Sequence, residues 1–400
     1  MLSARNPKMS EEPKPREPES AIVLITSSFP MSGDGSEAAG SFVLDLANEI
    51  ALQYSCRVVA PGPETCLEES GTNLKVFRFQ APERPLSTLK PWVPRDLTQI
   101  FKVLRAGQAA TIKAVNAGST KMIVALWALP SGHWARQAAK ARKIPYRVWT
   151  LGSDIWSLGR IPLLRRHIAK ILRDADSNYA DGIQLAAETS KISGRATSFL
   201  PSSRAIDASK ARISRTEPPY RFLYLGRWHR NKGVDLLLDA LQQLSDSDWT
   251  RIESFSIFGG GPLDKIVQDS VSNLEKSNRP VLLGGYLEKP EAEQQIADAD
   301  WLVIPSRIES IPLIFSDAMK LSTPVIAMPV GDLPELLSGN GPGLRADSAT
   351  SQALARSIIA ATQSQASRYS SRAQAAGREF DIAKISKQLL SADGELEKNV

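Results

Sequence analysis

Cysteine and histidine are scarce in this sequence, which has two cysteines and three histidines among its 400 residues. Cys56 and Cys66 have no metal-ligand spacing and are too few for a disulfide framework, which favours a reducing, cytoplasmic setting. The three histidines, His133, His167 and His229, have no metal-ligand spacing either. No apolar run reaches the roughly 18 residues that a membrane-spanning helix needs. A zinc site, a disulfide scaffold and a membrane span are therefore not indicated.

The first twenty residues and the overall composition narrow the class of protein. Residues 1–20 contain four prolines among mixed charges and lack the apolar core of a signal peptide, so we expect a disordered tail. The chain is 42% hydrophobic, 23% charged and 6% aromatic, as ordinary soluble proteins are. Its length exceeds what one core supports, so the default expectation is a two-domain α/β chain.

The net charge of +6 is unevenly distributed. Residues 21–200 contain 22 Lys and Arg against 14 Asp and Glu, whereas residues 201–360 contain 17 against 20. A basic N-terminal half fits contact with anionic lipid, nucleic acid or an acidic glycan, and equally a basic surface that is simply solvated. Residues 160–173 form a basic amphipathic helical pattern. Such a helix can lie on a membrane interface or bury its apolar face in its own domain.

Two rounds of strand and helix patterns divide the chain. Apolar runs predict strands at 21–26, 58–60, 76–79, 122–126, 146–151, 197–200, 222–225, 255–258, 281–283, 301–304 and 325–327. Helical patterns separate many of them, which predicts two doubly wound parallel-sheet (Rossmann-like) α/β domains facing a cleft. The polar stretch 201–219 contains the hinge. We expect an N-terminal domain at 21–200, a C-terminal domain at 201–375, and a helical tail at 376–400 that packs back on the N-terminal domain.

The most informative segment is residues 301–336. It contains an apolar run that ends at Pro305, a polar turn with Glu309, a helical pattern with Asp317 and a second apolar run at 324–328. Strand, helix and strand in about thirty residues indicate a βαβ unit of a parallel sheet. Ligands bind such sheets at the carboxyl ends of their strands, near helix N-termini. Two carboxylates there suit a polyhydroxylated ligand that also carries phosphate.

Two loops of the C-terminal half have residue types that suit phosphate. Arg227 and Lys232 follow the predicted strand 222–225 and precede a helix, as in a diphosphate clamp, although two exposed basic residues in a turn have the same spacing. The three glycines 259–261 close the next strand and let backbone amides approach a ligand, although a tight turn explains them as well.

The first strand of the chain runs into a third glycine-containing loop. This loop contains Gly33 and Gly35, and a helix opens at Gly40. Its position at the first strand-to-helix turn suits phosphate. It lacks a GxGxxG pattern, and no acidic residue ends the second strand, which argues against NAD.

Taken together, these motifs resemble the group 1 family of retaining GT-B glycosyltransferases. The segment from Glu309 to Asp317 is similar to the donor signature of the family, which has two carboxylates eight positions apart. Gly226-Arg227 with Lys232-Gly233 is similar to its diphosphate motif. Further segments that resemble the family in order are 40–43, 127–132, 152–155, 258–262, 323–327 and 330–335. The resemblance covers roughly residues 21–375.

The resemblance implies a metal-independent transferase. It would move a hexose-type sugar from a UDP-, GDP- or ADP-linked donor to a glycan, glycolipid or other hydroxyl acceptor, with retention of configuration. Arg227 and Lys232 would hold the diphosphate, Glu309 the sugar hydroxyls and Asp317 the ribose. The other donor-side residues that it implies are Gly33, Gly35, Gly40, Gly226, Gly260, Gly285, Tyr286, Ile311, Pro312 and Leu313. No cofactor and no nucleic acid partner are expected.

Several positions depart from the family pattern. Asp317 stands where Glu is usual, and Leu151 stands where many members have His, so Asp154 is the nearest polar candidate for an acid/base helper. Ser322 and Asp332 stand where glycines are common. An alternative is therefore a catalytically impaired partner subunit of the same fold that binds a nucleotide-sugar or glycan. A sugar-nucleotide epimerase is a third reading, which would call for more carboxylates near the sugar. The expected setting is the cytoplasm, with peripheral contact at the inner membrane face.

Overall fold

A computed structural model describes residues 20–31, 40–82 and 93–391 of the chain. The predicted donor residues Gly33 and Gly35 lie outside the described residues. So do nearly all of the predicted tail at 1–20 and the last nine residues of the tail at 376–400.

The N-terminal domain is built on an eight-stranded sheet. Its strands are β1 (Ala21–Ile25), β2 (Ser55–Gly62), β3 (Leu67–Glu69), β4 (Leu74–Gln80), β5 (Thr120–Leu126), β6 (Tyr146–Thr150), β7 (Ser177–Ala180) and β8 (Ser198–Phe199). Their order is β3-β4-β2-β1-β5-β6-β7-β8. All neighbouring pairs are parallel except β3 with β4, which places the carboxyl ends of the seven other strands at one edge.

Helices cover both faces of this sheet. They are α1 (Ser41–Ala51), α2 (Pro94–Asn116), α3 (Ser131–Arg142), α4 (Ser153–Trp156), α5 (Pro162–Asp174) and α6 (Ile183–Ser193). In α1 the buried residues Phe42, Val43, Leu46, Ala47 and Ile50 recur with a spacing of three or four, the period of one helix face. That face packs on one side of β1, and Trp134 of α3 belongs to the core on the other side.

The C-terminal domain has a six-stranded sheet. Its strands are β9 (Tyr220–Leu225), β10 (Ile252–Phe258), β11 (Val281–Gly284), β12 (Trp301–Ile304), β13 (Val325–Ala327) and β14 (Gly343–Arg345), in the order β11-β10-β9-β12-β13-β14. Every pair is parallel. The central strands carry apolar side chains toward both layers of helices, as doubly covered parallel strands do.

The helices of the C-terminal half follow the same plan. They are α7 (Val234–Leu241), α8 (Asp246–Trp249), α9 (Asp264–Lys276), α10 (Lys289–Asp298), α11 (Leu313–Lys320), α12 (Leu333–Leu336), α13 (Ser351–Thr362), α14 (Ala366–Gly377) and α15 (Ile382–Leu390). The predicted βαβ unit is formed by β12, α11 and β13. None of the helices in the described part of the chain is long and apolar enough to cross a bilayer.

Helix α15 returns to the N-terminal domain. Its residues Ile385 and Leu389 are buried in the same apolar cluster as Ile22 and Leu24 of β1. The guanidinium of Arg147, in β6, donates to the carbonyl of Leu389 at 2.6 Å. The two domains are therefore joined twice, by residues 201–219 and by the crossing before α15. The domain boundaries drawn from the sequence stay predictions.

The sequence prediction of two doubly wound parallel-sheet domains is confirmed, but it missed three strands. The missed strands, β3, β7 and β14, have only three or four residues each and little apolar character. β7 reads Ser-Asn-Tyr-Ala, and the side-chain amide of its buried Asn178 donates through Nδ2 to Leu172 O at 3.0 Å. Hydrogen bonding of this kind has no apolar signature in the sequence.

Candidate functional site

The loop after β9 places Lys232 at the edge of the C-terminal sheet. Residues Arg230–Lys232 form one 3-10 turn, and Gly233 then adopts a left-handed conformation with φ 73° before α7 begins. A side chain at Gly233 would overlap the carbonyl of Pro305, directly after β12. Glycine at this position therefore lets the Lys232 loop lie against the neighbouring strand.

The Lys232 ammonium and the Glu309 carboxylate form an ion pair between the loops after β9 and β12. Ser306 Oγ donates a further hydrogen bond to Glu309 Oε1 at 3.1 Å. The Glu309 side chain is 13% exposed and that of Lys232 is 42% exposed, so solvent reaches the pair. Two motifs that are 77 residues apart in sequence are thus brought into contact.

Arg307 fixes the same two loops from another side. Its guanidinium pairs with both carboxylate oxygens of Asp235, at 2.7 and 2.8 Å, and donates to the carbonyl of Arg230 at 2.6 Å. The N–H of Arg307 donates to the carbonyl of Asn231 at 2.8 Å. Because bidentate guanidinium pairs are directional, the turn that carries Lys232 is held in one geometry.

The glycine loop after β10 packs against the Lys232 loop. Gly259 has φ 142°, and a side chain there would overlap the carbonyl of Gly226. The N–H of Trp228 donates to the carbonyl of Gly260 at 2.8 Å. Arg227, between these contacts, is exposed. Gly259 therefore allows a close approach of the two loops, and the ligand-binding role of the glycines stays a prediction.

The loop after β11 completes this surface. Gly285 accepts a hydrogen bond from the N–H of Gly259 at 3.0 Å, and the hydroxyl of Tyr286 donates to the carbonyl of Gly260 at 2.8 Å. Tyr286 is 71% exposed. The predicted donor residues Gly226, Gly260, Gly285 and Tyr286 thus lie side by side. Their donor-binding role stays a prediction.

The carboxylate of Asp317, on α11, is fully buried. It forms an ion pair with the guanidinium of Arg204, from the segment that joins the domains. Its second oxygen, Oδ1, has no hydrogen-bond partner among the described residues. Binding of the donor ribose by Asp317 stays a prediction, because in this structure its carboxylate is paired with Arg204.

The residues around Arg204 tie the linker to both domains. Lys320 Nζ, one turn after Asp317, donates to Ser203 Oγ at 2.6 Å and to the carbonyl of Arg204. Burial lowers the pKa of Lys320 to about 8. The N–H of Ala205 donates to Asp45 Oδ2, on α1, at 2.9 Å. Sequence reasoning missed Arg204, because a charged residue in a polar linker has no pattern that marks it.

Asp154 lies at the carboxyl end of β6 and is 1% exposed. Its carboxylate accepts hydrogen bonds from the N–H groups of Ala128 at 2.7 Å, Ile155 at 3.1 Å and Leu151 at 3.4 Å. Burial raises the pKa of Asp154 to about 6, while these N–H groups act in the opposite direction. Asp154 holds the loops after β5 and β6 together, and its predicted catalytic role stays a prediction.

A second buried carboxyl, Asp181, lies at the carboxyl end of β7 and was not predicted. It is 8% exposed, and its Oδ1 has no hydrogen-bond partner among the described residues. Burial, with Asp154, Asp332 and Glu309 nearby, raises its pKa to about 8. Because β7 was missed in the sequence, the residue after it was not recognised as the end of a strand. The Asp-Gly pair before a helical pattern was the available signal.

The two domains meet at the start of α11. Ile311 and Pro312 are buried, and Leu313 packs against the N-terminal apolar cluster that includes Phe42 and borders Leu151. Gly40 precedes Phe42 with φ 89° and lies against Ser28. The candidate donor surface of the C-terminal domain therefore faces the loops after β1, β5 and β6.

Comparison with known proteins identifies the C-terminal half. Residues 219–364 match the family model described as glycosyl transferases group 1. The matched residues include the Lys232–Glu309 pair, the glycine loop and Asp317. Residues 219–364 therefore form a group 1 glycosyltransferase domain. The resemblance drawn from the motifs is thereby confirmed for the family.

Relatives of this chain include bacterial proteins. The chain is 25% identical over 252 residues to TuaC of Bacillus subtilis, named for a proposed role as a teichuronic acid biosynthesis glycosyltransferase. That alignment covers 59% of this chain and 60% of TuaC. It is 32% identical over 142 residues to D-inositol 3-phosphate glycosyltransferase 1 of Catenulispora acidiphila, covering 34% and 33% of the two chains. The chain thus spans 60% or less of these relatives.

Solved structures extend the likeness to the whole fold. Sucrose-phosphate synthase from Thermosynechococcus elongatus superposes with a TM-score of 0.68 at 19% identity, covering 92% of this chain and 97% of that one. HepE of Anabaena in complex with UDP-glucose gives a TM-score of 0.62 at 20% identity, covering 92% and 98%. The predicted GT-B fold is confirmed.

One further feature lies apart from the motif residues. A cavity of about 580 Å³ opens between α2 and the strands β2 and β4, lined by Arg57, Lys75 and Lys113 among others. Arg57 is buried there, and its guanidinium donates to the carbonyl of Ala114, near the end of α2, at 3.0 Å. This hydrogen bond accounts for the buried arginine without a ligand. Among the described residues, no group of three or more His, Cys, Asp or Glu has the arrangement of a metal site. Metal independence stays a prediction.

Proposed function

We propose that this group 1 protein is a retaining, metal-independent glycosyltransferase. It transfers a hexose-type sugar from a nucleotide-sugar to a hydroxyl of a glycan or glycolipid acceptor. The observation that carries the proposal is the Lys232–Glu309 pair, because it places a cation and a carboxylate together at the strand ends of the matched domain. A cation there suits a diphosphate and a carboxylate suits sugar hydroxyls. HepE and a trehalose-6-phosphate protein of E. coli have been solved with UDP-glucose and UDP-2-fluoro glucose, respectively, which supports a nucleotide-sugar donor.

In the proposed reaction the bond between the anomeric carbon and the diphosphate oxygen breaks, and its electron pair leaves with the diphosphate. The acceptor oxygen bonds to the anomeric carbon on the same face, and its proton passes to the departing diphosphate. Lys232 and Arg227 stabilise the negative charge that develops on the leaving group. Glu309 orients the sugar through its hydroxyls. The side chains of this chain bind, orient and neutralise, and no protein nucleophile is needed.

A panel of donors tests the proposal. UDP-, GDP- and ADP-sugars are mixed with the purified protein, binding is followed by ligand-observed NMR, and slow donor hydrolysis is followed by release of the nucleoside diphosphate. We expect one nucleotide class to bind and to be hydrolysed, with loss of hydrolysis in Glu309→Ala and Lys232→Ala. If donors bind and none is turned over with any acceptor, the transferase proposal fails.

A second candidate function is favoured by the surroundings of two carboxylates. Asp317 is fully buried against Arg204, and Asp154 is hydrogen-bonded by three backbone N–H groups. Neither carboxylate is free to contact a ligand without rearrangement. The second candidate is therefore a partner subunit that binds a nucleotide-sugar or glycan without transferring it. The same donor panel separates the two, because this subunit would bind a donor and release no diphosphate.

A peripheral membrane contact at α5 would fit a lipid-linked acceptor. Ile161 and Leu163, at the start of α5, are 42% and 76% exposed, and the exposed side chains of Arg165, Arg166 and Lys170 follow on the same helix. Exposed apolar residues flanked by cations suit an anionic lipid interface. The segment is connected through α4 to the loop of Asp154. A lipid surface there would present its headgroups near the cleft.

A further inference from the structure

Helix α6 of the N-terminal domain begins without a cap of its own. Its N-cap residue is Gly182, which has no side chain to accept from the free N–H groups of the first turn. Free N–H groups at a buried helix start need an acceptor, and the partial positive charge of the helix end favours an anionic one.

The acceptor comes from the other domain. Asp332 Oδ2 accepts from the N–H of Ile183 at 2.6 Å, and Oδ1 accepts from the N–H of Gln184 at 3.1 Å. The side-chain amide of Gln184 donates in turn to the carbonyl of Gly331 at 2.9 Å. Asp332 is 1% exposed, so these bonds are shielded from water. Asp332 thus caps a helix that lies about 150 residues earlier in the chain.

The segment of Asp332 also rests on the Glu309 loop. The N–H of Asp332 donates to the carbonyl of Ser310 at 3.2 Å. Gly331 has φ 55°, and a side chain there would overlap the carbonyl of Glu309. A side chain at Gly182 would likewise overlap Ser310 Oγ and lie 2.5 Å from Asp332 Oδ2. Because Gly182 has no side chain, both the loop of Glu309 and the carboxylate of Asp332 can contact the N-terminal domain at this point.

From these contacts we propose that Asp332 is a clasp that holds the two domains closed before any donor binds. The clasp consists of Asp332, Gly182 and the first turn of α6. One other polar contact between the domains is more exposed to solvent. Lys289 pairs with Asp45 at 3.0 Å, but the Lys289 side chain is 42% exposed and solvent screens the pair. The proposal concerns conformation, so it holds or fails independently of the reaction.

The experiment compares the solution size of variants without any ligand by small-angle X-ray scattering. In Asp332→Gly the clasp is lost, and we expect the radius of gyration to rise above that of the unmutated chain, because the domains open at the hinge. Lys289→Ala is the matched control and should leave the radius unchanged. An unchanged radius in Asp332→Gly would overturn the proposal.

A second pair of variants separates the clasp from simple capping of α6. Gly182→Ser with Asp332→Gly gives α6 a local cap, so the melting temperature should recover relative to Asp332→Gly alone. The radius of gyration should stay large, because the new cap comes from the same domain and its Cβ excludes Ser310. Recovery of the compact state in this double variant would show that Asp332 acts only through helix stability.

We expect a disulfide between positions 182 and 310 to restore the closed state of the Asp332→Gly variant. A Cβ at Gly182 would lie 3.4 Å from Ser310 Cβ, close to the separation in disulfides. We expect Gly182→Cys with Ser310→Cys, in the Asp332→Gly and Cys66→Ser background, to return to the compact radius when oxidised and to open when reduced. If the oxidised variant forms no such bond, the two surfaces do not meet and the clasp does not exist.

Discussion

The guanidinium of Arg204 and the carboxylate of Asp317 form an ion pair that connects the interdomain segment to helix α11. The Asp317 side chain is fully buried and that of Arg204 is 21% exposed. Removing the partner of a buried carboxylate is costly, because the ion pair then no longer compensates the burial of the charge.

Removing the partner of Asp317 therefore destabilises the protein. We expect Arg204→Ala to lower the free energy of unfolding by roughly 3 kcal/mol, measured by urea denaturation. Arg204→Ala with Asp317→Leu should recover most of the loss, because no buried charge is left. Arg212→Ala, which breaks an exposed pair with Asp298, should cost about 1 kcal/mol or less. Equal losses in the two single variants would contradict a special cost at Asp317.

The glycine that positions Lys232 allows a matched comparison. Gly233 and Gly194 have almost the same left-handed backbone, with φ 73° and 70°, but only Gly233 lies against another chain segment, at Pro305. Gly194→Ala should therefore cost about 1–2 kcal/mol of unfolding free energy from backbone strain alone. Gly233→Ala should cost more than that and should also weaken donor binding, as followed by NMR. Equal costs would show that the contact with Pro305 is not tight.

Replacing Lys232 should affect turnover far more than stability. Its pair with Glu309 is partly exposed, so Lys232→Ala should change the free energy of unfolding by about 1 kcal/mol or less. Loss of one group that stabilises developing charge should lower donor turnover by about 10²–10³-fold. Lys265→Ala, an exposed lysine on α9, serves as the control for charge alone. A similar fall in turnover in both variants would show that the loss of positive charge anywhere on the protein has this effect, and not the loss of a contact between Lys232 and the diphosphate.

Asp181 predicts a pH dependence of stability. Its pKa is raised to about 8 by burial, with Asp154, Asp332 and Glu309 facing it and Ser310 beside it. Between the unfolded pKa of about 4 and about 8 the folded state binds the extra proton, so this group's contribution is full below pH 4 and is lost as pH rises through 8. Urea denaturation at pH 5, 7 and 9 should show a decline that Asp181→Asn makes shallower. A steeper decline of the free energy of unfolding with pH in Asp181→Asn would contradict a raised pKa at Asp181.

The membrane contact at α5 is testable with vesicles. Leu163→Glu removes the most exposed apolar side chain of that helix and adds a negative charge next to Arg165 and Arg166. We expect sedimentation with vesicles that contain anionic lipid to fall by about tenfold, and little binding to neutral vesicles in either case. Leu52→Glu, at an equally exposed leucine after α1, is the control.

The fold was largely readable from the sequence because central parallel strands are continuous apolar runs. Trp301–Ile304 and Val325–Ala327 were predicted to the residue, and the glycines and Lys232 between strands followed from loop chemistry. β7 was not readable, because Asn178 and Tyr179 are buried through specific hydrogen bonds. The pattern also marked Asp332 only as an unusual residue. Its partner, the N-terminus of α6, is a backbone feature of another domain, and no local sequence pattern specifies such a contact.

The carboxylate pair shows the same limit in a different way. Glu309 and Asp317 were both identified from their spacing, but their surroundings differ in the structure. Glu309 meets Lys232, which a second motif supplied, whereas Asp317 meets Arg204, which belongs to no motif. Spacing predicts which residues share a helix or loop, while the charge opposite each one depends on tertiary packing.

The return of α15 to the N-terminal domain affects the order in which the protein can fold during synthesis. Ile385 and Leu389 complete a core whose other buried members lie between Ile22 and Leu200. At about 5–20 residues per second, the ribosome needs roughly 10 to 40 s to make the intervening chain. During that time the nascent N-terminal domain exposes the apolar groove of α1 that α15 later fills. Translation speed across the C-terminal domain therefore sets how long that groove is open to chaperones or to other chains.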